Sequence, residues 1–118
     1  MRAPADGDED ASSSGCRGPQ DPGPAELSEQ TGEFLRALAS TSRQRIMMLF
    51  AQGAELSVGE VAERAGIGQS TASEQLTLLR RGGILTSRRD GKIVLYRADR
   101  AGVLEAIDNL RSYLLTCC

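Results

Sequence analysis

The side chains with chemical potential fall into three small groups. Cys117 and Cys118 are adjacent and Cys16 is the only other thiol. Two neighbouring thiolates suit a soft, thiophilic ion such as As(III) or Sb(III) better than a hard or imidazole-seeking one. An internal disulfide between them is disfavoured, because adjacent Cα atoms lie about 3.8 Å apart, below the usual disulfide range of about 4.4–6.8 Å. Cys16 is the one candidate for a third ligand, and inert thiols on an exposed chain end are the plain alternative. The second group is Gln69, Ser70, Thr71, Ser73 and Gln75, a polar run that leads into Leu76-Thr77-Leu78-Leu79. Ser and Thr are mediocre helix formers, but short hydroxyl side chains let a helix end approach a ligand closely. Gln pairs bidentately with adenine, and a helix N-terminus favours phosphate. The third group is cationic: Arg80, Arg81, Arg88, Arg89, Lys92 and Arg97 against Asp90 alone. A solvated face usually mixes signs, so this stripe reads as an anion-binding surface.

Catalytic chemistry is poorly supported. The chain contains no His, no phosphate-cradling Gly loop with its Lys, and no Cys beside a general base. It is expected not to be an enzyme. With two Phe, two Tyr and no Trp it also lacks the aromatic platforms that single-stranded nucleic acids require.

These groups need a scaffold, and 118 residues supply one small domain. The net charge of −2 averages unlike parts. Residues 1–30 carry seven acids against Arg2 and Arg17, a net of −5, whereas residues 31–118 carry nine acids against twelve Lys and Arg, a net of +3. All four prolines and a Ser triplet fall in residues 1–25, so residues 1–26 are expected to be a disordered acidic tail and 27–118 the folded domain. No apolar stretch approaches the roughly 20 residues of a membrane span, and the first residues do not form a signal peptide. An odd number of Cys gives no disulfide framework, so a reducing cytoplasm is the expected location.

Order begins near Leu27, with Ser28 capping a helix that holds Phe34, Leu35 and Leu38. A second helix is predicted from Ser42, with Ile46, Met47, Leu49 and Phe50 inward and Gly53 ending it. Ser57 and Glu60 have capping-box spacing and open a third helix that stops at Gly66. The fourth starts at Gln69, so the pair forms a helix-turn-helix. Two β-rich runs then flank Asp90-Gly91, a strong signal for a two-stranded hairpin with that dipeptide in a primed turn. Arg88, Arg89 and Lys92 ring its tip. The order of elements predicts a mainly α (α+β) fold, a winged helix-turn-helix with five helices and a two-stranded wing. A last helix from about Arg100 to Cys117 carries Val103, Ile107, Leu110 and Leu114 in one stripe, widened by Leu104 and Leu115. Ordinary core packing accounts for part of it. A homodimer interface built with the first helix accounts for the rest.

With these pieces placed, "LASTSRQRIMMLF" (38–50), "ELSVGEVAERAGIGQSTASEQLTLLRRGGIL" (55–85) and "SRRDGKIVLYRAD" (87–99) resemble the ArsR/SmtB family of bacterial metal- and metalloid-responsive repressors. The likeness covers residues 30–118. It implies a homodimer that binds an imperfect palindrome in double-stranded DNA and lets go when an effector binds. Metal-sensing relatives carry two Cys in the third helix where this chain has Ser57 and Gly59, and the His-based site between terminal helices is missing with His itself. Some arsenic-responsive relatives place an adjacent Cys pair on the last helix, as Cys117 and Cys118 would be. Glu74 stands where relatives often carry a basic or neutral polar residue, which weighs against one phosphate contact. The competing expectation is a winged-helix regulator without a metal site of its own, acting with a protein co-regulator. The basic hairpin favours DNA, while the acidic tail and Glu74 favour the co-regulator.

Overall fold

A computed structural model describes residues 27–116. The expected acidic tail (1–26), Cys16, Cys117 and Cys118 lie outside them. The first helix, α1 (Glu29–Leu38), opens on Ser28, whose Oγ accepts from the Thr31 N–H at 3.1 Å. It buries Thr31, Phe34 and Ala37, three residues apart along one face. The second helix, α2 (Thr41–Met48), starts one residue before the expected Ser42 and is capped by Ser40, whose Oγ accepts from the Arg43 N–H at 3.3 Å. It also stops earlier than its apolar pattern suggests. A single 3-10 turn (Ala51–Gly53) follows, in which Gln52 and Gly53 take φ of 62° and 78°, so the helix cannot continue.

The helix-turn-helix forms as its punctuation predicts. Ser57 Oγ accepts from the Glu60 N–H (3.2 Å) while Glu60 Oε1 accepts from the Ser57 N–H (2.9 Å), a complete capping box at the start of α3 (Val58–Ala65). The hydrogen bond from the Ser57 backbone N–H is the main cause that holds the Glu60 carboxyl below its ordinary range. After Gly66, Ile67 and Gly68 the chain enters α4 (Gln69–Arg81), which buries Ala72, Leu76 and Leu79 completely. Gly82 follows at a close crossing. A Cβ there would lie 3.0 Å from Ala37 Cβ and from the Glu33 carbonyl oxygen, so only glycine lets α1 lie so close.

The two-stranded hairpin wing forms as expected, from β2 (Leu85–Asp90) and β3 (Ile93–Ala98), and a short strand not foreseen in the sequence, β1 (Leu56–Ser57), extends it to an antiparallel sheet of order β1-β3-β2. The added strand pairs Leu56 with Tyr96 and Ser57 with Leu95. Two residues are too few to show alternation, which hid this strand in the sequence. The hairpin turn is also one residue later than expected. Asp90 pairs with Ile93, leaving Gly91 and Lys92 as the two loop residues. Gly91 takes φ of 67° and Lys92 is not among the residues with positive φ, the pattern of a type II′ turn with Gly first.

The last helix, α5 (Arg100–Thr116), packs on α1. Asp99 Oδ1 accepts from the Gly102 N–H (3.0 Å) at its start, and Thr31 and Ser28 donate to Asn109 Oδ1 from α1. The core lies between α1, α3, α4 and the sheet and is mainly aliphatic, with Phe34, Phe50 and Tyr96 buried in it.

Candidate nucleic-acid interface

The first turns of α4 leave most of their side chains exposed. Gln69, Ser70, Thr71, Ser73 and Glu74 are exposed, while Ala72 and Leu76 hold the opposite face in the core. Gly68 supplies no side chain to cap the helix, so its first N–H groups have no side-chain partner. The helix therefore presents hydroxyls, an amide and an unscreened positive dipole end in one place. Gln75 differs from the others of its group. It is half-buried, and its Oε1 accepts from Arg43 Nη1 at 3.0 Å.

The three wing cations are also unlike one another. Arg88 grips Glu55 through two hydrogen bonds, Nε to Oε2 at 2.8 Å and Nη2 to Oε1 at 2.9 Å. The hydrogen bond from Arg88 holds the Glu55 carboxyl below its ordinary range, with the charges of Arg88 and Arg97 adding to it against desolvation. The same pair raises the Arg88 guanidinium. Arg89 and Lys92 are exposed and have no ion-pair partner among the described residues.

A cleft of about 330 Å³ opens between α2, α3 and the flank of α4. Ile46, Leu49 and Ile67 floor it, and Arg45, Arg64 and Thr71 stand at its rim. Arg43, Arg45, Arg64 and Glu55 were not singled out by the sequence, because their roles depend on contacts between distant segments. The Glu55–Arg88 pair, for example, spans 33 positions.

The other site expected from sequence is apolar. On α5, Leu104, Ile107 and Leu114 are 51, 45 and 51 % exposed, with Leu115 at 62 %. Val103 and Leu110 are half-buried, and only Ala106 is fully buried. The Ser57 hydroxyl, at the position of a family thiolate, is engaged in the capping box. Among the described residues no group of three His, Cys, Asp or Glu could hold a metal, and no helix is long and apolar enough to cross a membrane.

Comparison with known proteins places this geometry. Residues 38–88 match the family described as a helix-turn-helix domain. The biofilm growth-associated repressor of Xylella fastidiosa is 34% identical over 88 residues, covering 75% of both chains. The structure of HlyU from Vibrio cholerae is similar at 32% identity and a TM-score of 0.56, covering 70% of this chain and 88% of that one. A homodimeric winged helix-turn-helix DNA-binding domain from Mycobacterium bovis, described as a possible ArsR-family transcriptional regulator, is similar at 30% identity and a TM-score of 0.56. That likeness covers 72% of this chain and 89% of the other.

Proposed function

The chain belongs to the ArsR/SmtB family of winged helix-turn-helix transcriptional regulators, a DNA-binding protein and not an enzyme, and from that premise we propose how it engages DNA. Two copies pair through the α5 stripe of Val103, Ile107, Leu110 and Leu114, with Leu104 beside it. The pair presents two α4 helices to an imperfect palindrome in double-stranded DNA. Gln69, Ser70, Thr71 and Ser73 read base edges in the major groove, where the N-terminal residues of a recognition helix lie. Arg89 and Lys92, with Arg88 in a lesser role, hold phosphates beside it, and Arg45 and Arg64 do so at the other flank. The observation that carries this reading is the exposed, uncapped polar start of α4. Binding represses transcription, as the name of the Xylella fastidiosa relative says of that protein, and takes place in the cytoplasm.

Selection of duplexes from a randomised library, followed by sedimentation of the complex, tests the proposal. Two copies on one duplex with two inverted half-sites is the expected result. Failure to enrich any sequence rejects sequence-specific binding. The release step is a separate proposal: a thiophilic metalloid taken by Cys117 and Cys118, with Cys16 or an external thiol as third ligand. Arsenite should then release the duplex from the parent chain and not from the Cys117→Ser, Cys118→Ser double variant.

A further inference from the structure

One side chain joins the end of α1 to the middle of α4. Arg43, half-buried in the first turn of α2, donates from Nε to the Ala37 carbonyl oxygen at 2.9 Å and from Nη2 to that of Arg36 at 3.0 Å. Its remaining arm, Nη1, reaches Gln75 Oε1 at 3.0 Å. A guanidinium is planar and permanently charged, so its donors point in fixed directions and three acceptors define its place. Two of those acceptors are carbonyls at a helix C-terminus, where the partial negative charge favours a cation. The third belongs to the recognition helix.

The opposite end of the same helix pair is closed as well. Gln30 Nε2 donates to the Arg81 carbonyl oxygen at 2.8 Å, and Gly82 lies tight against Ala37 and Glu33. On its other side α1 is tied to α5 through Asn109. The chain of contacts therefore runs from α5 through α1 to α4, and Arg43 is its link nearest the bases.

Resting on the DNA-binding face proposed above, we infer that Arg43 is a positioning residue for DNA recognition, setting the angle of α4 through Gln75 without touching DNA. The geometry makes small errors costly. Gln69 lies six residues from Gln75, about 9 Å along the axis. A rotation of about 10° there displaces the base-reading tips by roughly 1.5 Å, beyond the ~0.5 Å tolerance of an organised site.

The test compares Arg43→Met and Gln75→Leu in the full chain. The probes are a duplex selected by the parent from a randomised library and a scrambled duplex. Each variant should lower the ratio of specific to non-specific affinity by about tenfold, and the double variant should be no worse than either. The salt dependence should not change, because no phosphate contact is lost. Arg43→Lys should restore little, since an ammonium cannot span three acceptors. Repeating the selection with Gln75→Leu should show relaxed preference at every position of the site. Relaxation at a single base pair would make Gln75 a direct reader and overturn the inference. So would a salt slope that falls with Arg43→Met, or a Gln75→Leu variant that keeps the parent ratio. If Arg43→Met fails to fold, Gln75→Leu alone still decides. A parent chain that enriches no duplex sinks the DNA-binding reading instead. In that case amide exchange in α4 tests the clamp, rising in Gln75→Leu if it exists and unchanged if it does not.

Discussion

The two longest helices, α4 and α5, leave opposite kinds of surface uncovered. The 13 residues of α4 bury Ala72, Leu76 and Leu79 completely and leave a polar face bare. The 17 residues of α5 bury only Ala106 and leave Leu104, Ile107, Leu114 and Leu115 in the open. Bare polar groups at a helix start lose nothing in water, whereas a contiguous apolar face has a driving force toward a partner of the same character. The contrast teaches that one helix is complete within the monomer and the other is not. In the pairing proposed above, a second copy of the chain supplies the matching apolar face by symmetry.

Core truncations break the comparison most severely. Leu76→Ala or Leu79→Ala should lower stability by about 2–5 kcal/mol, because each removes a fully buried side chain. That loss, read by urea titration, should be the same at every protein concentration. Leu114→Ala should behave differently, with a loss relative to the parent that changes with concentration, because the proposed dimer is what covers the side chain. A concentration-independent loss for Leu114→Ala would place that residue in the monomer's own core.

A charge on the apolar stripe comes next. Ile107→Glu should sediment as a monomer of native helix content, and its affinity for a duplex with two half-sites should fall by about 100-fold or more. A dimeric Ile107→Glu would move the interface elsewhere.

The wing sharpens the comparison on its polar side. Arg89→Gln and Lys92→Gln should each flatten the salt dependence of DNA binding by about 0.9 in log–log slope. Arg88→Gln should change it less, since Glu55 already holds that guanidinium.

The smallest effect is a titration. Hydrogen bonding to Arg88 depresses the Glu55 carboxyl below its ordinary value of 4.5. The ion pair is therefore present at neutral pH and lost as pH falls through the depressed value. Arg88→Gln should move the Glu55 midpoint, followed by NMR, back upward.

How far the sequence alone reaches varies along the chain. Helix starts and stops were legible where a side chain acts on its own neighbours, as in the Ser57–Glu60 box and the Ser28 cap. α2 starts at Thr41, one residue before the expected Ser42, because Ser40 caps it by accepting from the Arg43 N–H. The polar group 69–73 was legible from its type and spacing. Gln75 belongs to the same pattern, yet its contact with Arg43 depends on how α1 and α2 fold back, which no local signal encodes. Likewise β1 exists only because Leu56 meets Tyr96 across 40 residues.

The central claim is that the bare start of α4 reads base pairs, and one measurement addresses it directly. Gln69→Ala, Ser70→Ala and Thr71→Ala are compared with the parent chain on a selected and a scrambled duplex, alongside thermal unfolding of each protein. Each substitution that removes a good base contact should lose about 1–3 kcal/mol on the selected duplex, with scrambled-duplex binding and the thermal transition unchanged. Selected-duplex affinity that survives all three substitutions, or a thermal transition that collapses with them, would contradict it.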